Sequence, residues 1–182
     1  MERILPAVKK MLALIRQMSD LGKPEETRLE ALDLREELRR TLEPLEHLGV
    51  MKHCRVEVRA DEGVPLVHGD PAQMAHVFRN LVVNAAQAME DSAARVLTVE
   101  IGRVGAGDGV QVVVADTGKG ILAEHLERIF QPFFTTKPGG TGLGLAIVRS
   151  ILDRHGASVA VESQPAAGTR FVLRFPATTA LR

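Results

Sequence analysis

Two glycine segments about twenty residues apart constrain this chain more than any other feature of its sequence. The first, Asp116–Gly120, follows a β-branched run over residues 111–115 that is typical of a buried strand. The second, Gly139–Gly144, leads into a helical pattern over residues 146–155. Glycine lets backbone approach a ligand closely, and the N-terminus of a helix presents free N–H groups to phosphate. The two segments together predict a nucleotide held between a floor and a lid.

The glycine run does not match two common phosphate-binding motifs. A Walker loop requires Gly-Lys followed by Ser or Thr, and that sequence is absent after this run. The spacing of Gly140, Gly142 and Gly144 is not G-x-G-x-x-G, and no βαβ repeat surrounds it. The run therefore predicts a phosphate site of a different class.

Composition narrows the function further. The 182 residues fit one domain with a short appendage, and 23 basic residues balance 23 acidic ones. A nucleic-acid surface usually needs a basic excess, so no nucleic-acid partner is expected. The single cysteine, Cys54, excludes an intramolecular disulfide. No apolar run approaches the roughly 20 residues of a membrane span, so the chain is expected to be cytoplasmic, although a parent protein could be membrane-anchored.

The chain before residue 30 carries a heptad pattern and a linker. Its apolar residues recur at alternating spacings of four and three: Ile4, Val8, Met11, Ile15 and Met18. This seam predicts the tail of a longer paired helix over residues 1–20, and an amphipathic helix packed on its own domain is the alternative. Gly, Pro and charged residues predict a linker over 21–29. Residues 30–176 are then the folded domain, with a C-terminal tail at 177–182.

The rest of the chain mixes strands with helices. Alternating hydrophobicity predicts strands at 55–60, 96–103, 109–115, 157–162 and 169–175, with a hairpin turn over 105–109. A helix over residues 33–48 is expected to begin with a capping box of Asp33 and Glu36, after a short strand near residues 29–32. Because hairpins give antiparallel pairs, the fold class is predicted to be α+β: a two-layer α/β sandwich with a mixed, mostly antiparallel sheet and helices on one face.

A second helix carries an unusual amide stripe. Asp70, Pro71 and Gln73 form a strong helix start, and the apolar pattern runs to about Met89. Asn80 and Asn84 lie one turn apart inside it, although asparagine is a poor interior helix residue. One interpretation is a stripe exposed to water. The other is that the amide oxygens ligate a hard cation such as Mg²⁺ or bind phosphate.

Five motifs in this order resemble the ATP-binding domain of bacterial sensor histidine kinases, a branch of the GHKL ATPases. The resemblance covers about residues 30–176. The motifs are the N box Asn80–Gln87, the first glycine box Asp116–Ile121, the F box Phe130–Phe134, the second glycine box Gly140–Leu145, and the final Gly168–Phe171. The resemblance implies the Bergerat fold of that superfamily. The junction Arg16–Pro24 also resembles that of nitrogen-regulation-type kinases.

The resemblance implies roles for individual residues. Asp116 would accept a hydrogen bond from the adenine amino group, with Thr169 supporting the adenine edge. Asn84 would ligate Mg²⁺, and Asn80 would support phosphate or metal from one turn earlier. Lys137 would contact the γ-phosphate. The implied catalytic residues are Asn80 and Lys137, and the implied cofactor-binding residues are Asn84, Asp116, Gly118, Gly120, Ile121, Phe133, Thr141, Gly142, Leu143, Gly144, Leu145 and Thr169.

The resemblance also implies a lid over residues 120–140. Phe130, Phe133 and Phe134 would pin this lid, and ordinary core packing is the alternative for them. Many members of the family carry lysine where Gln87 stands, so this chain lacks that charged contact from the helix.

Position 80 helps to choose among the branches of the superfamily. Its ATPases and serine kinases carry glutamate there as a base, which Asn80 cannot be. A histidine acceptor needs no such base, because a neutral imidazole is already nucleophilic. None of the six histidines has the context of the family's phosphoacceptor, and His155 is interpreted as structural.

The expected protein is therefore the catalytic domain of a two-component sensor histidine kinase that uses Mg²⁺ and ATP. Its expected partners are the dimerisation and phosphoacceptor domain of the same kinase and a response regulator, and the parent kinase is expected to be a homodimer. The alternatives are a nucleotide-binding regulatory module of the same superfamily and an anti-sigma-type serine kinase.

Overall fold

A five-stranded sheet organises the part of the chain that the computed structural model describes, residues 27–104 and 109–176. The strands are β1 Glu30–Leu32, β2 Arg55–Ala60, β3 Val67–Gly69, β4 Val96–Arg103, β5 Val110–Asp116, β6 Ser158–Ser163 and β7 Thr169–Phe175. The helices are α1 Leu34–His47, α2 Pro71–Ala88, α3 Ala123–Leu126 and α4 Gly144–Arg154.

The large sheet has the order β2-β4-β5-β7-β6, and β1 pairs with β3 in a separate two-stranded sheet. Only β2 runs parallel to its neighbour in the large sheet, since β4, β5, β7 and β6 pair antiparallel. The predicted mixed, mostly antiparallel sheet is therefore confirmed. In the register of β5 and β7, Asp116 lies opposite Thr169.

The helices cover one face of this sheet. Alternate residues of the central strands are buried in the hydrophobic core, as Leu97, Val99 and Ile101 of β4 illustrate. α2 contacts β4 and β5, α4 contacts β6, and α2 also packs against α1 and α4. The two-layer α/β sandwich predicted from the sequence is confirmed.

The opposite face of the sheet is mostly polar, with one exception at its centre. Val113 and Val172 lie opposite each other on β5 and β7 and are 3% and 2% exposed. Polar neighbours on the same face include Glu100 and Arg170. The alternation therefore correctly predicts which face meets the helices, but it does not predict that these two valines are shielded.

Side-chain caps fix where the two long helices begin. The Asp70 carboxylate accepts from the backbone N–H of Gln73 at 3.1 Å, as the sequence predicts for α2. At α1 the predicted capping box is only half formed. Asp33 accepts from the backbone N–H of Arg35 at 2.9 Å, whereas the Glu36 carboxylate accepts from Arg39 and Arg40 on the following turn. These arginines compete for the glutamate that would otherwise reach back to the cap.

Several predictions concern residues outside the described ranges. The paired helix over 1–20, most of the linker over 21–29, most of the hairpin turn over 105–109 and the tail over 177–182 fall there. Within residues 27–104 and 109–176, no helix is long and apolar enough to cross a membrane.

Candidate functional site

A cavity of about 390 Å³ opens between α2, the loop after β5, the second glycine segment and β7. Eleven of the residues predicted from the sequence line it: Asn80, Asn84, Asp116, Gly120, Ile121, Lys137, Thr141, Gly142, Gly144, Leu145 and Thr169. These residues come from parts of the chain nearly ninety residues apart, and the fold brings them to one place.

Three predicted residues do not line this cavity. Gly118 lines a neighbouring one beside Ala88, and Leu143 is completely buried. Phe133 is 62% exposed, and the next residue, Phe134, lines the cavity instead. Sequence could not distinguish these adjacent phenylalanines, because the backbone of Phe133 adopts a positive φ of 68° that turns the chain between them.

Asp116 ends β5 at the floor of the cavity. Its side chain is buried, and its Oδ1 accepts from the backbone N–H of Gly118 at 2.8 Å. Burial raises the pKa of the Asp116 carboxyl, while hydrogen bonds from the backbone of Gly118 and Thr169 act in the opposite direction. This is a polar acceptor at the end of an apolar strand, with one oxygen committed to the loop.

Ser163 joins the two sides of this floor, a role that sequence reasoning missed. Its hydroxyl donates to the Gly168 carbonyl at 2.7 Å and accepts from the backbone N–H of Ile121 at 2.9 Å. Since the Ser163 proton is committed to that carbonyl, the 3.1 Å contact with Thr169 has the Thr169 hydroxyl as its donor. The lone pairs of the Thr169 oxygen remain available as acceptors.

Two glycines allow close backbone contacts that a side chain would prevent. Gly120 has φ of 69°, and a Cβ there would lie 2.0 Å from the Gln164 carbonyl oxygen. Gly142 has φ of 66°, and a Cβ there would lie 2.4 Å from the carbonyl carbon of Phe133. The Gly142 carbonyl in turn accepts from the Phe133 N–H at 2.9 Å. Glycine at 142 therefore joins the lid to the start of α4.

The amide stripe of α2 faces the cavity. Asn80 and Asn84 are both half-buried, whereas Gln87 one turn further is exposed. The Asn80 side-chain amide donates to the His76 carbonyl at 2.9 Å, which fixes its orientation. Its oxygen points towards α4, because a Cβ on Gly144 would lie 2.9 Å from it. The stripe is therefore a wall of the cavity and not an open solvated face.

Lys137 reaches from the lid to this wall. Its ammonium donates to Gln87 Oε1 at 2.7 Å and to Asn84 Oδ1 at 3.2 Å. Burial lowers the pKa of Lys137, and the nearby Lys119 lowers it further, whereas Asp116 and Glu90 oppose the shift. A cationic group thus already lies against the amide oxygen of Asn84.

The lid is packed through its aromatic residues. Phe130 meets Phe171 edge to face, with ring centroids 6.4 Å apart, and packs against the core. Phe134 meets the His125 ring at 5.4 Å and lies 4.5 Å below the Arg128 guanidinium. For Phe130 the core alternative is therefore correct, while Phe134 contributes to both the lid and the cavity wall.

The donor set of this cavity suits a hard cation held mainly by its ligand. Among the described residues, no group of three or more His, Cys, Asp or Glu side chains could hold a metal. Mg²⁺ commonly takes one or two protein oxygens and completes its shell with phosphates and water. The Asn84 oxygen, which already accepts from an ammonium ion, fits that requirement.

His155 has the structural role expected from the sequence. It is buried, its Nδ1 lies 2.7 Å from the Ile151 carbonyl, and its Nε2 lies 3.0 Å from the backbone nitrogen of Asp70. Because the Asp70 N–H must be the donor, Nε2 is the acceptor and Nδ1 carries the proton. The ring ties the end of α4 to the start of α2.

The rest of the cavity wall was given no individual binding role from the sequence. Seven of these residues lie within the predicted motifs: Val83, Gln87, Lys119, Phe134, Gly139, Gly140 and Phe171. The lid predicted over 120–140 contributes His125, Ile129, Thr135 and Thr136, and Ala88 directly follows the N box. Lys119 could have been identified from the sequence because it lies between Gly118 and Gly120. A residue between two glycines whose backbone approaches a ligand is itself close to that ligand.

Comparison with known proteins identifies the family. The profile described as histidine kinase-, DNA gyrase B- and HSP90-like ATPase matches residues 69–179. The chain belongs to this family. The sensor histidine kinase ZraS of Escherichia coli (strain K12) is 36% identical over 162 residues, which cover 89% of this chain and 34% of ZraS. The chain thus spans about a quarter to a third of the length of the curated relatives it matches.

Solved structures agree with this assignment. Full-length ShkA in complex with AMPPNP superposes with a TM-score of 0.76 at 26% identity, covering 95% of this chain and 35% of ShkA. The histidine kinase ThkA in complex with the response regulator protein TrrA has a TM-score of 0.77 at 25% identity, covering 98% of this chain and 51% of ThkA. The chain therefore contains an ATPase-type domain of the kind found in sensor histidine kinases.

Proposed function

We propose that this chain binds Mg²⁺-ATP in the cavity and transfers the γ-phosphoryl group to a histidine of a dimerisation and phosphoacceptor domain. The observation that carries the proposal is the convergence of Asp116, Asn84 and Lys137 on one cavity beside the second glycine segment. One end offers a buried carboxylate to a base, and the other offers amide, ammonium and backbone N–H groups to phosphates.

Adenine binds at the floor. The Asp116 oxygen that is not committed to Gly118 accepts from the exocyclic amino group. The Thr169 oxygen, whose own proton is donated to Ser163, supports this edge as a second acceptor for the amino group. Ile121 supplies apolar contact beside them. This carboxylate gives a preference for adenine, because guanine presents a carbonyl at that position, which would leave two acceptors facing each other.

The triphosphate lies between α2 and the second glycine segment. Thr141, Gly142 and Gly144 line this end, where the backbone before α4 can donate to phosphate oxygens. Asn84 holds Mg²⁺, which when bound neutralises charge on the phosphate oxygens. Lys137 contacts the γ-phosphate. Asn80, one turn before Asn84 in α2, supports the phosphate or the metal. Positioning and charge neutralisation are the main sources of catalysis in phosphoryl transfer.

The acceptor supplies its own nucleophile. A neutral imidazole nitrogen attacks the γ-phosphorus, the bond from that phosphorus to the bridging oxygen breaks, and ADP leaves. Asn80 cannot remove a proton, so water is a poor competitor for the same phosphorus. The site thus favours transfer to histidine over hydrolysis.

The partners follow from this activity. A phosphorylated histidine would pass its phosphoryl group to a response regulator, and the complex of ThkA with TrrA supports that expectation. We further infer that the parent kinase is a homodimer, that residues 1–20 belong to its dimerisation helix, and that residues 30–176 form the catalytic domain.

The test supplies the acceptor separately. The chain is mixed with Mg²⁺ and γ-labelled ATP and with a dimeric acceptor-helix domain that carries a phosphoacceptor histidine. The control is the same domain with that histidine replaced by glutamine. Acid-labile label on the acceptor domain that carries the histidine, and none on the glutamine control, supports histidine kinase activity. ATP binding without transfer to any acceptor tested favours a regulatory nucleotide-binding module, and label on serine favours an anti-sigma-type kinase.

A further inference from the structure

A single lysine ties the lid to α2 across the mouth of the cavity. The Lys137 ammonium bridges Gln87 and Asn84, which lie three residues apart on one line of the helix. The backbone around the lysine is itself held, because its N–H donates to Thr135 Oγ1 at 3.1 Å and its carbonyl accepts from Gly140 at 3.0 Å. An ordered turn therefore places the Lys137 side chain against α2.

The two amides differ in what they must do when nucleotide binds. Asn84 is the proposed Mg²⁺ ligand, and Mg²⁺ binds oxygen at about 2.0–2.1 Å. An ammonium 3.2 Å from the same oxygen would face that ion directly, and two cations this close repel each other. The Lys137 ammonium must therefore leave Asn84 when the ion arrives. The shorter hydrogen bond from Lys137 to Gln87 can remain, because Gln87 is not a proposed ligand of the ion.

We propose that Gln87 is a positioning residue that keeps the Lys137 ammonium at the phosphate end of the cavity while the divalent cation takes over Asn84. An ammonium has three N–H donors, so one can stay on Gln87 while two turn to phosphate oxygens. Because the amide oxygen is neutral, it orients the lysine without cancelling its charge. This inference rests on the proposed function of the site and adds to it the residue that aims Lys137.

The charges facing this ammonium are consistent with such a role. Lys119 repels it, while Asp116 at the floor of the cavity and Glu90 of the neighbouring cavity attract it. Neither carboxylate makes a described ion pair with it, so Gln87 provides its closest described contact. Loss of that contact leaves Lys137 with its bond to Asn84 in the empty protein and without a protein acceptor once the ion is bound.

A double-mutant cycle tests the proposal. Gln87→Met keeps the length of this exposed side chain but removes its acceptor, and it is made in the wild type and in Lys137→Met. A residue that acts only through Lys137 must lose its effect when that lysine is absent. We expect Gln87→Met to weaken Mg²⁺-ATP binding about 3- to 10-fold in the wild type and to change nothing in the Lys137→Met background.

Hydrogen exchange of the nucleotide-free protein gives a second readout. Amides of residues 123–141 should exchange faster in Gln87→Met than in the wild type, whereas adding Gln87→Met to Lys137→Met should change their exchange no further. Gln164→Met, at an exposed position outside the lid, is the matched control. An equal loss of affinity in both backgrounds, or no effect on either readout in the wild type, would overturn the proposal.

The proposed function and the role of Gln87 can be disproved separately. If the wild-type chain does not bind Mg²⁺-ATP, the proposed function fails, while exchange in the empty protein still reports on the tie between lid and helix. If the wild type binds Mg²⁺-ATP and Gln87→Met binds it equally well, the function stands and the role of Gln87 is wrong.

Discussion

The buried side chain of Asp116 is proposed to bind adenine, and its burial has a cost to the stability of the fold. We predict that Asp116→Asn weakens ATP binding by about 1–3 kcal/mol, because the new amide presents a donor to the adenine amino group, itself a donor. The remaining oxygen can still accept from Gly118, so the loop should keep its conformation. Titration of a fluorescent ATP analogue measures the loss. Asp153→Asn, at an exposed position of α4, is the control, and equal affinities in Asp116→Asn and the wild type would remove Asp116 from the adenine site.

The pKa of Asp116 makes a second prediction about the same residue. Burial raises this pKa, so folding favours the protonated carboxyl. Its stabilising contribution is therefore complete below the unfolded pKa and is lost as pH rises through the folded pKa. At neutral pH the buried carboxylate destabilises the fold, and Asp116→Asn should raise the melting temperature. That gain should shrink as pH falls through the raised pKa.

Melting temperatures of the wild type and of Asp116→Asn, measured from neutral to acidic pH, test the sign of this effect on stability. A gain that stayed constant with pH would mean that the charge of Asp116 is not its cause. If Asp116→Asn is more stable at neutral pH yet binds ATP less well, the Asp116 carboxylate contributes to binding at the expense of stability.

At the scale of elements, α2 combines a side that faces the core with one that faces the cavity. We predict that Asn84→Ala leaves thermal stability unchanged or slightly higher, since alanine is about 0.5 kcal/mol better in a helix. The same change should abolish the dependence of ATP affinity on Mg²⁺. Isothermal titration with and without Mg²⁺ measures this dependence. Arg79→Ala, an exposed position on the same helix, is the control, and an equal effect of Mg²⁺ in Asn84→Ala and the wild type would disprove the metal assignment.

The junction between the lid and α4 offers a matched pair of glycines. Gly142 and Gly49 both have positive φ, at 66° and 72°, but a Cβ on Gly49 would meet no atom within 4 Å. Gly49→Ala should therefore cost about 1 kcal/mol of stability and leave ATP binding intact. Gly142→Ala adds a clash with the Phe133 backbone, which must move, and we expect it to weaken ATP binding at least about tenfold. Unfolding and nucleotide titrations compare the two variants. Equal nucleotide affinities would show that the lid tolerates this shift.

Some features of these elements could be predicted from the sequence and others could not. The strands were predictable because Leu97, Val99 and Ile101 alternate with polar residues, and a sheet with one covered face requires that pattern. The parallel direction of β2 was not predictable, since alternation is the same in either direction. The nucleotide cavity could be predicted from the glycine and asparagine motifs. The contact of Lys137 with Gln87 could not, because an irregular loop has no period that fixes where its side chains reach.

At the scale of the molecule, the proposed site offers groups that bind phosphate, and Asn80 stands where the superfamily's ATPases carry their base. We therefore predict that the 182-residue chain binds ATP, hydrolyses it slowly and does not phosphorylate itself. None of its six histidines has an acceptor context, and His155 is buried with both ring nitrogens engaged. Incubation with γ-labelled ATP, followed by acid and base treatment, distinguishes phosphohistidine from phosphoserine.

The control for this last prediction is Asn80→Glu, which restores a carboxylate where the superfamily's ATPases carry their base. It should raise the rate of ATP hydrolysis above that of the wild type without producing labelled protein, because a base activates water but supplies no acceptor. Acid-labile label on the wild-type chain alone would contradict the prediction and would make one of the existing histidines an acceptor. Replacing each exposed histidine in turn, beginning with His53, would then identify it. Hydrolysis by the wild type as fast as by Asn80→Glu would instead mean that another group in the cavity activates water.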